Sequence, residues 1–253
     1  MPSFETLSVF PEVQTAYMDA SIMGRARERG IFDFRAHDLR DWTHDRHNTV
    51  DDAPFGGGAG MLMKPEPIYE AVEAIASDGA APHVVFFSPV GETFTQRCAE
   101  RLSRLERVLF VCGRYEGIDE RCYRLADETI SLGDFVLTGG ELAAMVVIDA
   151  CVRLLPGALG DSMSAQEESF SAAGLLEYEQ YTRPASFRGM DVPEVLTSGD
   201  HGRVDAWRRA NAIERTARLR PDMLESADIT PEERAWAYQV ARGAASGTDE
   251  IGE

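Results

Sequence analysis

Apolar and polar positions alternate over residues 4–10 (FETLSVF), which predicts a strand that stops at Pro11. Residues 13–28 read as a helix and 31–36 as a second strand. A polar stretch, 38–60, follows; its end, DDAPFGGGAG, is too rich in glycine for regular structure. Pro67 to Ala76 reads as a helix. Beyond it the pattern runs strand, helix, strand, helix, strand: His83 to Ser88, Gln96 to Leu105, Val108 to Cys112, Asp119 to Ala126 and Glu128 to Leu132. Short apolar strands alternating with helices predict an α/β domain built on a mostly parallel sheet.

Residues 141–155 (ELAAMVVIDACVRLL) are apolar nearly all round, so this helix is expected to be covered by the core or by a partner subunit. Its polar residues Glu141, Asp149 and Arg153 fall on one stripe. Residues 156–174 are small and polar, as in a linker or mobile loop. Residues 203–219 read as a helix with Ala206, Ala210, Ile213 and Ala217 on one face and Trp207 beside them. Arg208, Arg209, Arg215 and Arg218 fall on the other side. Thr230-Pro231-Glu232-Glu233 starts a further helix with a capping box, and the tail is expected to fray from Gly243. No internal repeat is present.

Composition narrows the class. The 253 residues suffice for one or two domains with a real core. No apolar run is long enough for a membrane span, and the N-terminus lacks the basic and apolar regions of a secretory signal. Cys98, Cys112, Cys122 and Cys151 show neither Cys-x-x-Cys spacing nor nearby His ligands, so they read as buried reduced thiols of a cytoplasmic protein. The net charge of −18 argues against a generic nucleic-acid coat but leaves room for a local basic patch. All basic residues except Lys64 are arginines, which suits phosphate and base recognition and equally reflects a coding bias.

Several segments could carry chemistry. The glycines 56–58 and 60 form either a flexible turn or a loop whose amides approach an anionic ligand; no Gly-Lys-Ser/Thr marks a Walker loop. Three Gly- or Pro-rich segments each follow a predicted strand: Phe87 to Gly91, Cys112 to Gly117 and Leu132 to Glu141. They are ordinary turns, or together a nucleoside pocket at the carboxyl ends of the strands. No Gly-x-Gly-x-x-Gly is present, which counts against a nicotinamide enzyme. Asp161, Glu167 and Glu168 in the polar linker are either solvated or held in a loop that closes over substrate, where a carboxylate can act as general base. Arg153 can pair with Asp149 on its own helix. The histidines have no ligand spacing.

Long motifs in fixed order then identify a resemblance. Asp51 to Met63 (DDAPFGGGAGMLM), Cys112 to Arg121 (CGRYEGIDER), Leu132 to Met145 (LGDFVLTGGELAAM), Ser164 to Phe170 (SAQEESF), Tyr181 to Pro184 (YTRP) and Val195 to His201 (VLTSGDH) resemble the bacterial tRNA (guanine-N1)-methyltransferases of the TrmD type, in the SPOUT superfamily. The likeness runs from Ser8 to about Glu233. It implies an α/β domain with a deep trefoil knot followed by a helical domain: residues 1–160 as the knotted cofactor domain, 161–176 as a flexible active-site linker, and 177–253 as a tRNA-binding domain. It implies methyl transfer from S-adenosylmethionine to N1 of the guanine at tRNA position 37, by a homodimer whose sites are completed across the interface.

Residue by residue, the resemblance places the cofactor against Pro89, Gly113, Glu116, Leu132, Gly133, Asp134, Phe135, Val136, Leu137, Gly139 and Gly140. It places tRNA at Gly58, Ser164, Glu177, Arg183 and His201; Arg208 and Arg215 join this set from the arginine-bearing helix face. Glu168 stands where the family has its aspartate base, and Arg153 where it has an assisting arginine. Glu168 and Glu177 both lengthen a position usually held by Asp. Magnesium is implied as well, and no motif identifies its ligands. A different SPOUT enzyme would lack the SAQE-type loop and the Tyr-Thr-Arg-Pro segment. A non-catalytic RNA-binding relative is the other reading.

Overall fold

The computed structural model describes residues 1–159, 168–171 and 173–247. The chain divides into two compact units, Met1–Ser162 and Met163–Glu253.

The first unit has the expected parallel α/β architecture. In order along the chain come β1 (Ser3–Ser8), α1 (Pro11–Met18), α2 (Ser21–Glu28), β2 (Asp33–Asp38), β3 (Asp51–Asp52), β4 (Leu62–Met63), α3 (Pro65–Ser77), β5 (His83–Thr93), α4 (Gln96–Leu102), β6 (Arg107–Val111), β7 (Glu128–Ser131) and α5 (Glu141–Val152). Five strands form one sheet in the order β2-β1-β6-β5-β7, every pair parallel. Both faces of this sheet are covered, which is why β6 reads as a run of apolar residues rather than an alternation. Phe110 packs with Phe4, Phe32, Val147 and Ile148 on one face. Leu109 and Val111 pack with Leu7, Ile68, Val72 and Phe86 on the other.

Three local predictions need correction. The single helix expected over 13–28 is two helices, broken at Asp19-Ala20. Gly24 makes the break possible: a Cβ there would lie 2.3 Å from the Asp19 carbonyl oxygen. The helix expected over Asp119 to Ala126 is a 3₁₀ helix, Glu120–Leu125, capped by the Asp119 carboxylate accepting from the Arg121 amide. The polar stretch 38–60 is not wholly irregular. It holds a 3₁₀ turn, Leu39–Trp42, and the strand β3, which pairs antiparallel with β4.

In the second unit, β8 (Ser186–Phe187) and β9 (Met190–Asp191) form a small antiparallel hairpin, followed by α6 (Glu194–Thr197), α7 (His201–Leu219) and α8 (Pro231–Gly247). Its core comprises Leu175, Ala212, Ile213, Ala217, Leu224, Ala227 and Ala237. Leu175 therefore ties the end of the expected linker into the helical unit. α7 starts at His201 rather than 203, because the Asp200 carboxylate caps it by accepting from the Arg203 amide at 3.2 Å. Ala206 and Ala210, expected on its buried face, are exposed; Ala212 and Thr216 are buried instead. α8 packs on the C-terminal part of α7, and this selects the buried stripe. The capping box forms as expected: the Glu233 amide donates to Thr230 Oγ1 at 3.2 Å, and the Thr230 amide to Glu233 Oε2 at 2.8 Å. α8 continues to Gly247, beyond the point where fraying was expected.

Candidate functional site

The three Gly/Pro segments come together. They line one cleft of about 570 Å³ at the carboxyl ends of β5, β6 and β7. Of the eleven residues expected to meet the cofactor, ten line it: Pro89, Gly113, Glu116, Leu132, Gly133, Phe135, Val136, Leu137, Gly139 and Gly140; Asp134 does not.

Each segment reaches the cleft by its own local device. The first is not a strand-to-helix turn but an outward loop within β5. Ile130 of β7 stands opposite both Phe87 and Glu92, so residues 88–91 leave the ladder and carry Pro89 to the rim. The second follows β6, where Tyr115 takes φ +60, a left-handed conformation rare for a bulky side chain and typical of functional loops. The third runs from β7 into α5. It is stitched to the second by the Gly140 amide, which donates to the Gly113 carbonyl at 2.8 Å, and by a bridge between Arg114 and Gly139. Gly140 is required by this approach: a Cβ there would lie 2.8 Å from Cys112 Cα.

Buried polar groups outside the lining brace Arg114, which lines the cleft. Glu141, at the start of α5, is 2% exposed and accepts from Ser8 Oγ at 2.7 Å and from Arg114 Nε at 3.0 Å. Beside it Thr6 Oγ1 donates to Gln14 Oε1 at 2.9 Å, and Gln14 Nε2 donates to Cys112 Sγ at 3.2 Å. Burial pushes the Cys112 thiol well up, so it stays protonated as part of the scaffold. The other cysteines are buried too. Arg114 also covers the Phe10 ring at 4.6 Å. Motif reading alone missed the roles of Arg114, Ser8 and Gln14, although Arg114 lies inside CGRYEG; only the fold joins residues so distant in sequence.

The remaining candidates fall on both units. Gly58 is exposed on the loop between β3 and β4. Arg153 is half-buried at the C-terminal cap of α5, its amide donating to the Asp149 carbonyl at 3.1 Å. The Asp149 carboxylate accepts from the Tyr17 hydroxyl at 2.6 Å, which pushes that hydroxyl up to about 12. In the second unit, Glu168 on a turn and Glu177 on an irregular segment are half-buried, and the Glu177 amide donates to Ser169 Oγ at 2.9 Å. Arg183 and His201 are exposed. Asp161, Ser164 and Glu167 lie outside the described residues.

The arginine face of α7 is less free than its sequence suggested. Arg209 forks onto Glu233 at 3.0 Å and donates to the Asp228 carbonyl. Arg218 pairs with Glu214 at 2.6 Å, Arg208 approaches Asp205 at 3.8 Å and Arg215 approaches Glu179 at 3.8 Å. Arg208 and Arg215 nonetheless each keep a buried Nε with no hydrogen-bond partner. Among the described residues, no group of three or more His, Cys, Asp or Glu side chains is arranged to hold a metal ion.

Residues 3–226 match the family model described as tRNA (Guanine-1)-methyltransferase TrmD. Curated relatives match over nearly their full length. The tRNA (guanine-N(1)-)-methyltransferase of Persephonella marina is 47% identical over 240 residues, covering 95% of this chain and 94% of its own. The protein of the same name from Moorella thermoacetica is 50% identical over 241 residues (94% and 96%), and that from Heliobacterium modesticaldum 55% over 226 residues (87% and 83%).

Proposed function

The chain belongs to the tRNA (guanine-1)-methyltransferase TrmD family, and on that premise we propose that it methylates N1 of the guanine at tRNA position 37, beside the anticodon, using S-adenosylmethionine. The observation that carries this reading is the cleft formed by the three loops, whose lining of backbone amides, carbonyls and apolar side chains suits a nucleoside. Gly140, where a Cβ would strike the Cys112–Gly113 backbone, lets the second and third loops close on each other to form this cleft. Pro89, Gly113, Leu132, Gly133, Phe135, Val136, Leu137 and Gly140 would hold the cofactor, which supplies a methyl group already activated on a sulfonium.

The chain's own task is the nucleophile. Guanine N1 carries a proton and is amide-like, so a base must take that proton while charge builds on O6. Glu168 is assigned as the base and Arg153 as the cation that offsets the charge; Glu177, joined to the Glu168 turn through Ser169, is placed against the guanine. Gly58, Ser164, Arg183, His201, Arg208 and Arg215 are assigned to tRNA. Magnesium has no candidate ligand set among the described residues, and no step is routed through it.

The homodimer also belongs to this proposal. Leu142 and Val146 on α5 are 53% and 50% exposed, and Phe10, Val13 and Tyr17 at α1 are exposed as well. Such apolar area on two elements that touch each other suits an interface between copies. The trefoil knot belongs to the same proposal and rests on membership of the family. A cytoplasmic setting is supported by four buried thiols, and no helix among the described residues is long and apolar enough to cross a membrane.

The test is a single-turnover methylation assay with saturating cofactor and tRNA, with the modified base mapped. Transfer to N1 of that guanine is expected. Glu168→Gln should slow it by about 10²–10⁴-fold, the usual contribution of a general base, with little change in cofactor affinity; Glu168→Asp should keep substantial activity. Near-normal turnover by Glu168→Gln would move the base elsewhere, and absence of transfer by the unmodified protein would overturn the function.

A further inference from the structure

We infer that the β8–β9 hairpin is a platform on which an unpaired nucleobase of the RNA substrate stacks; this rests on the proposed function and adds a contact to it. The turn between the strands, Arg188-Gly189, has φ +53 and +79, so both central residues take the left-handed conformations of a type I′ turn. Phe187 and Met190 stand directly opposite each other and therefore share one face of the ribbon. Both are exposed, at 54% and 64%. An isolated two-stranded hairpin is marginal in water, and here its apolar pair is left uncovered. The Arg188 guanidinium lies 5.2 Å from the centre of the Phe187 ring, which pairs an aromatic face with a cation at the tip.

The surrounding charge favours RNA as the occupant. Between Glu179 and Asp191, the last residue of β9, the only charged residues are Arg183 and Arg188, in a protein whose net charge is −18. Tyr181, also exposed, adds a second aromatic ring in the same segment, its hydroxyl donating to the Glu179 carboxylate at 2.8 Å. Exposed aromatics interleaved with arginines suit single-stranded nucleic acid: the ring takes a base, and the guanidinium takes a phosphate.

The test measures binding of an anticodon stem-loop RNA to the full-length protein across a salt series. Phe187→Ala should weaken binding by about 5- to 150-fold, the loss expected for one base–aromatic stack, while Phe187→Trp should restore it and show fluorescence quenched by the RNA. Arg188→Ala should lower the slope of log affinity against log salt by about 0.7, one phosphate contact on a single strand. Neither change should alter cofactor binding by calorimetry, which also reports that the variants fold. Unchanged RNA affinity in both alanine variants, with normal methylation by the unmodified protein, would overturn the hairpin assignment alone. Loss of the dimer in Phe187→Ala by light scattering would also overturn it, giving the face to a second copy. Failure of the unmodified protein to methylate any tRNA would instead overturn the function on which the inference rests.

Discussion

Glu5 shows how one side chain can be decided by its partners rather than by its burial. It sits on β1 and is 1% exposed. Burial alone would push its carboxyl up. His37 Nε2 at 2.7 Å from β2 and the Arg107 fork at 2.6 and 3.2 Å from β6 outweigh that and hold it at about 2. A carboxyl depressed in the folded state stabilises the fold above its unfolded value, near 4.5, and loses that contribution as pH falls towards 2. Stability followed by denaturant titration should therefore decline between about pH 4.5 and 2 in the unmodified protein. Glu5→Gln should be less stable at neutral pH, by roughly 3 kcal/mol for a broken buried pair, and flatter across that window. An equally steep decline in Glu5→Gln would assign the acid sensitivity to other carboxyls.

At the scale of elements, α5 separates two roles that its sequence merges. Its run of apolar residues has almost no polar face, so the pattern could not say which side met the core. The structure buries Val147 completely and leaves neighbouring Val146 half exposed. Val147→Asp should cost about 3–5 kcal/mol, as an uncompensated buried charge, and lower the melting temperature. Val146→Asp should leave the subunit folded but break the proposed dimer, read as a shift to monomer by light scattering; a stable dimer in Val146→Asp would remove this face from the proposed interface. The cleft loops were legible as motifs but not as geometry. The resemblance places Gly140 against the cofactor, and a Cβ there would strike the Cys112–Gly113 backbone. Gly140→Val should thus force the second and third loops apart and abolish cofactor binding by calorimetry, with some loss of stability. Undiminished binding by a folded variant would show that the loops can separate without harm.

For the molecule as a whole, alternation and glycine placement made the parallel α/β class readable, because a sheet covered on both faces writes itself as short apolar runs. They could not reveal the break at Asp19-Ala20, which depends on contact between Asp19 and a glycine a turn away. Nor could they reveal which stripe of α7 is buried, which α8 decides. Long-range polar contacts were the least legible: Ser8 with Glu141, and Glu5 with Arg107, join residues whose pairing no spacing rule predicts. The Glu5 cluster has a kinetic consequence. One carboxylate clasps three adjacent strands, β2, β1 and β6, and the Glu5–Arg107 contact spans most of the first unit's sequence. Closing so long a loop is entropically costly, so this clasp should engage late on the folding route. Stopped-flow measurements on Glu5→Gln should then show unfolding accelerated and refolding nearly unchanged, making the cluster a latch that governs how long the native state lasts rather than how fast it is reached.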